Sequence, residues 1–181
     1  KLIKANLQVL IFNQRSIEEI LEVILTIGRI VSAEDKAQKL GDGYKKRLDN
    51  FREKSDKIQN KPKVYFEEWD DPTFSGIRWV SELIEIAGGE DIFSNKSHGK
   101  LAMEREIQWS DVIEKNPDVI LASWCGKPVD IESIKKREGW DKISAIKNNR
   151  IHEIDSSIIL QPGPASLTEG LKVLESLIRE Q

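Results

Sequence analysis

Chemically versatile side chains are scarce in this sequence. It has one cysteine, Cys125, two histidines, His98 and His152, and an exposed-looking carboxylate pair, Asp70-Asp71. Cys125 follows a strand-like run within Trp-Cys-Gly, the setting of a thiol–disulfide active site. Pro128, however, stands where the resolving cysteine is needed. A cysteine nucleophile would need one of the histidines as its base. His152 lies mid-strand and His98 in a Ser-His-Gly loop, so a small hydrophobe's role suits Cys125 better. With no disulfide partner and no carboxylate or thiol at ligand spacing from the histidines, neither a bridge nor a metal site is expected. Adjacent aspartates on an extended segment point apart, and Asp71-Pro72 is turn chemistry rather than an acid–base pair. Gly88-Gly89 follows a helix, the wrong place for a phosphate loop. The expectation is a protein without catalysis, cofactor or metal; a Cys125-dependent redox module is the enzymatic alternative.

Binding is better supplied. Three segments that follow strand-like runs are rich in aromatic and apolar residues: 68–74 (EWDDPTF), 123–128 (SWCGKP) and 155–164 (DSSIILQPGP). If their strands are parallel, all three emerge at one sheet edge, where ligands of open α/β sheets bind. Trp69, Phe74, Trp124, Ile158 and Ile159 would then form an apolar wall with a few polar tips, the usual make-up of a small-molecule site.

The elements behind these loops follow from periodicity. Leu7–Phe12 reads as a buried strand. Ser16 and Glu19 form a capping box for a helix carrying Ile17, Ile20, Leu21, Ile24, Ile27 and Val31. A second helix, capped by Ser32 and running to about Ile58, has the inward stripe Ala37, Leu40, Tyr44, Leu48, Phe51 and Ile58, a rod of roughly 40 Å. From Lys63 strands and helices alternate: strands at 63–67, 118–124 and 150–154, helices at 75–87, 110–115, 131–137 and after Gly163-Pro164. This order predicts a three-layer α/β lobe with a mainly parallel sheet, preceded by a long helix. The 181 residues, 39% hydrophobic, suffice for one domain with an appendage, and 28 basic against 31 acidic residues give a net charge of −3, no basis for nucleic-acid binding. No apolar run reaches the ~20 residues of a membrane span. The opening Lys1-Leu2-Ile3, with Met103 the sole methionine, suggests a piece of a longer protein.

The run of KVYFEEWDDP, SELIEIAGGEDIF, NPDVILASWCGK, GWDKISAIKNNRIHEI and SSIILQPGP resembles the helical-backbone class of periplasmic binding proteins that serve ABC importers of cobalamin and ferric siderophores. The resemblance implies two α/β lobes joined by one rigid helix, with ligand held between them and no catalysis. Residues 1–31 would be the last strand and helix of the first lobe, 32–61 the linking helix and 62–181 the second lobe. Ligand contacts carried over, together with the rim read above, are Trp69, Asp70, Phe74, Trp124, Ser157, Ile158, Ile159 and Gln161. No arginine lies in Ser157–Gln161, so a bulky, largely neutral corrinoid is favoured over an anionic ferric siderophore; haem or a bare metal ion on the same fold is the alternative. The implied partner is the importer's permease. Relatives dock it through a glutamate that matches Ser110 here, leaving Asp111, Glu104 or Glu106 to act instead. The implied location is the periplasm or the outer face of the cell membrane, with membrane association only through a preceding anchor or the permease.

Overall fold

Alternation of side chains along the strands divides the apolar residues between two cores. The computed structural model describes Lys4 and residues 8–180. Its strands β1 (Lys63–Asp70), β2 (Thr73–Ser75), β3 (Glu90–Asp91), β4 (Val119–Ala122) and β5 (Ile151–Glu153) form one sheet. β1, β4 and β5 run parallel in that spatial order. The outer edge of β1 is shared: β3 pairs with its beginning in parallel, and β2 folds back on its end as an antiparallel hairpin.

Val64, Phe66, Val119 and Leu121 point to one face. They are covered by α1 (Ile17–Ile30), α2 (Glu34–Ser55), α3 (Arg78–Ala87) and α8 (Leu171–Arg179). Tyr65, Ile120, Ala122 and Ile151 point to the other, under α4 (Trp109–Lys115), α5 (Ile131–Lys135) and α6 (Ser144–Lys147). Both faces of β4 are apolar and fully buried, as a central parallel strand requires. The predicted three-layer α/β lobe with a mainly parallel sheet is therefore what forms.

The Ser16–Glu19 capping box starts α1 as read from sequence. α3 stops at Gly88, whose φ of +101° is left-handed; a Cβ there would also lie 2.6 Å from Ile58 Cδ1, so glycine is needed twice over. α1 packs closely on α2, so that a Cβ on Gly28 would sit 2.3 Å from that of Ala37.

Several boundaries differ from expectation. Within the expected strand 7–12, Leu7 lies outside the described residues, and residues 8–12 form no strand; Val9, Leu10 and Ile11 are exposed. An extended segment becomes a strand only when a neighbour accepts its backbone hydrogen bonds, and none among the described residues does. Ser32 does not cap α2: its φ is +52° at the turn, and Ala33 occupies the cap without a side-chain bond. The 75–87 helix begins at Arg78, because Ser75 is drawn into β2 opposite Glu67. In α1, Ile17, Ile20 and Leu21 join the core while Ile27, Ile30 and Val31 stay exposed, as does Leu40 of α2.

Candidate functional site

Near its end β1 carries consecutive glutamates, Glu67 and Glu68, that serve opposite faces of the sheet, and each takes one buried arginine. Glu67 is fully buried. Its carboxylate accepts both Arg137 nitrogens, at 2.5 and 2.9 Å, the Tyr65 hydroxyl at 2.9 Å and the Trp124 indole N–H at 3.2 Å. Burial, reinforced by the Glu67 charge, pushes the Tyr65 phenol well above its ordinary value, so it remains a donor. The Arg137 guanidinium is in turn flanked by the rings of Trp109, at 4.9 Å, and Trp140, at 4.6 Å. Glu68 accepts Arg105 bidentately at 2.7 and 2.8 Å and also the Ile77 N–H, while Arg105 donates to the Ser75 carbonyl. The first cluster joins β1 to the loop after β4; the second joins it to the hairpin.

These clusters hold a rim at the carboxyl ends of the strands. The Lys127 ammonium lies 2.9 Å from both oxygens of Asp70, with the ring centroids of Trp69 and Trp124 at 4.5 and 4.7 Å. Partial burial acts to raise the Asp70 carboxyl, but the hydrogen bonds and charge of Lys127 outweigh it and hold it below the usual carboxylate range. On the other side of the same loop, the Val129 N–H donates to the Glu153 carboxylate at 3.0 Å. The loop is thus pinned from β1 and from β5. Beside it opens an apolar depression of about 340 Å³ lined by Trp69, Phe74, Ile77, Trp79, Cys125 and Leu160, with Glu68 and Ala102 at its margin.

Two of the expected ligand contacts need correction. Trp124 is only 4% exposed and lies in the core under α4–α6, held there by Glu67; Ile159 is fully buried in the opposite core. Ile159 does not reach the rim, and Trp124 only edges a separate cleft of about 460 Å³ with Lys127, Glu153 and Asp155; a position after a strand does not by itself distinguish rim from core. Trp69 and Phe74 are half-buried and line the depression, with Asp70 beside them latched to Lys127. Ser157 is exposed, Gln161 is exposed and Ile158 is half-buried in the α7 region (Ser156–Ile159); none of these lines the depression. Sequence reasoning missed Trp79, Ile77, Leu160 and Lys127. Of these only Lys127 carried a signal, as the single cation of an otherwise aromatic and small-residue loop. Cys125 is exposed on the depression rather than a buried hydrophobe.

A second groove, about 600 Å³, runs between the hairpin tip and the start of α4 and is lined by Asp70, Asp71, Thr73, Glu106, Trp109 and Ser110 among others. The Trp109 indole donates to the Thr73 hydroxyl at 3.0 Å, which donates to the Asp70 carbonyl at 2.6 Å, so groove and rim share a wall. Asp111 accepts the Gln108 N–H as a long helix cap, and exposed Glu104 caps Leu101. Leu101, Met103 and Trp109 are exposed around this end of the molecule. Among the described residues no cluster of histidine, cysteine and carboxylate groups is arranged to hold a metal ion, and no helix is long and apolar enough to cross a membrane.

The family model described as periplasmic binding protein matches residues 1–158. The chain belongs to this family. The resemblance read from its motifs is thereby borne out. It is 28% identical over 186 residues to an uncharacterized ABC transporter substrate-binding lipoprotein, YvrC, of Bacillus subtilis, covering 96% of this chain and 54% of that protein. It is 23% identical over 162 residues to a vitamin B12-binding protein of Vibrio parahaemolyticus, covering 88% of this chain and 56% of that one. The chain spans about half the length of these curated relatives. A solved possible iron-binding (periplasmic solute-binding) protein from Staphylococcus epidermidis superposes with a TM-score of 0.82 at 27% identity, over 99% of this chain and 69% of that chain.

Because Glu67 and Arg137 are both buried, removing one partner strands the other. Arg137→Met and Glu67→Leu should each destabilise by about 3–5 kcal/mol, while the double variant should recover much of that loss. Denaturant unfolding of the four proteins in this cycle measures the recovery; purely additive losses would contradict a paired role.

Proposed function

We propose that this periplasmic binding protein chain carries the second lobe of an extracytoplasmic substrate-binding protein, residues 62–181, with 32–61 as the linking helix and 1–31 as the end of the first lobe. It receives one face of a bulky small molecule and delivers that molecule to an ABC importer. A cobalamin-like corrinoid is the favoured ligand and a ferric siderophore the next. The observation that carries this preference is the neutralisation of the rim's cations: Arg105 is spent on Glu68 and Lys127 on Asp70. What the lobe offers is an apolar depression walled by Trp69, Phe74 and Trp79, which suits a largely neutral macrocycle better than a multiply anionic chelate. The B12-binding Vibrio relative supports the same choice, and the lipoprotein relative supports a location outside the cytoplasm. Haem is the second reading, favoured by the exposed Cys125 thiol on the same depression.

The binding protein hands over its ligand where carboxylates meet permease arginines. Glu106 lines the groove at α4, Asp111 lies in the first turn of that helix and Glu104 caps Leu101; with exposed Leu101, Met103 and Trp109 they give the mixture of charge and apolar surface typical of partner sites.

Exposing the intact protein to cobalamin, a ferric hydroxamate and haem, then desalting, tests the ligand. Retained red corrinoid absorption is expected, with affinity about tenfold or more weaker in Trp69→Ala, the cost of losing an aromatic anchor. Blocking Cys125 with iodoacetamide should leave corrinoid affinity largely intact; retention of haem alone, lost on blocking, would favour the second reading, and retention of none would overturn both. In a second experiment, Asp111→Lys should weaken association with the reconstituted permease, most at low salt. An unchanged affinity would remove Asp111 from the docking surface.

A further inference from the structure

α2 carries most of its exposed cations away from the flank that holds its aspartates. Its inward stripe of Ala37, Gly41, Leu48, Phe51 and Ser55 is buried. At about 100° per residue, one flank carries Asp35, Asp42, Asp49 and Asp56, one every seventh residue and all exposed, together with Lys45 and Arg52, the latter paired with Asp49 at 2.8 Å. The outward ridge and the opposite flank carry Lys36, Lys39, Lys46, Arg47, Lys54 and Lys57, bordered by Asp35 and Glu53, which project at the same angle. Lys172 of α8 adds to the same patch, where a groove of about 670 Å³ runs beside Lys46, Arg47, Lys54 and Lys57. Glu175, which also borders it, is engaged by Lys54 at 3.8 Å and Arg179 at 3.2 Å. A chain with a net charge of −3 thus gathers six cations along one side of α2 and the turn after it, and Lys172 joins them.

We propose that this face binds the phosphate groups of an anionic phospholipid surface. The stripe from Lys36 to Lys57 extends roughly 30 Å along a straight ridge. A free phosphate is held by donors that converge on one point, whereas cations spread along the length of a helix match an array of charges. Exposed Leu40 lies on the same flank, and Phe51 sits beneath Arg47 and Lys54, with its ring centroid 5.7 and 5.1 Å from their charges. An apolar side chain among lysines favours a lipid interface over nucleic acid. The remainder of the surface is net acidic, so it would orient the protein rather than add to binding. None of these residues belongs to the ligand rim or the α4 groove, so this inference stands apart from the transport reading.

Co-sedimentation of the full protein with vesicles of phosphatidylcholine alone, or of phosphatidylcholine mixed equally with phosphatidylglycerol, is the test. Retention is expected on the anionic vesicles only, and it should fall steeply as salt rises through the physiological range. Lys46→Glu combined with Lys57→Glu should weaken it about 25-fold or more, at about fivefold per basic residue near an anionic surface, with an unchanged thermal midpoint. If that pair disturbs folding, Lys36→Glu with Lys39→Glu at the far end of the stripe gives the same readout. Equal binding to both vesicle types, no binding to either, indifference to charge reversal, full competition by millimolar inorganic phosphate, or tighter binding to a duplex DNA fragment would each overturn the proposal.

Discussion

A carboxylate cut off from water must receive its hydrogen bonds from the protein around it, and Glu67 is in that position at the carboxyl end of the central parallel strands. Four donors converge on it, two from Arg137 and one each from Tyr65 and Trp124. Because those donors come from β1, from the loop after β4 and from the segment after α5, satisfying one buried charge fixes three parts of the chain against each other. Trp124 is held in the core as a consequence. The residues after it, Cys125 to Lys127, are then delivered to the rim, where Lys127 meets Trp69 and Asp70. The rim does not rest on surface ion pairs, which are worth little by themselves; its anchor is dry.

The same constraint accounts for the electrical character of the site. Glu67 and Glu68 point to opposite faces and consume Arg137 and Arg105, and Asp70 consumes Lys127. What remains open beyond the strands is aromatic and aliphatic surface with little net charge. The two clusters hold this surface in a fixed shape; under the proposed two-lobe reading it would meet one face of a ligand.

Much of the fold was legible because it depends on local patterns. The β-branched runs around Val64, Ile120 and Ile151, the Ser16–Glu19 box and the Gly88 stop each specify an element without help from distant residues. The hairpin that captures Ser75 was not legible, since its pairing with Glu67 depends on a turn at Asp71-Pro72 rather than on helix propensity. Residues 8–12 have strand composition but no pairing neighbour, and composition alone cannot supply one. At the site, Trp69 and Phe74 line the depression, whereas Trp124 and Ile159 are buried. Which way a residue turns after a strand is decided by partners such as Glu67, and Glu67 and Arg137 are 70 positions apart. Lys127 was overlooked for the same reason: its role comes from Asp70 and Trp69, 57 and 58 positions away.

Native-state hydrogen exchange of the Trp124 indole N–H tests the central claim most directly, because that proton is bonded to Glu67 and shielded by the Arg137 cluster. If the buried carboxylate holds the rim together, this proton exchanges only through global unfolding, with the same free energy as the slowest amides of β4. Exchange at the rate of an exposed loop, while the β4 amides stay protected, would show that the loop moves independently and that Glu67 does not organise the site.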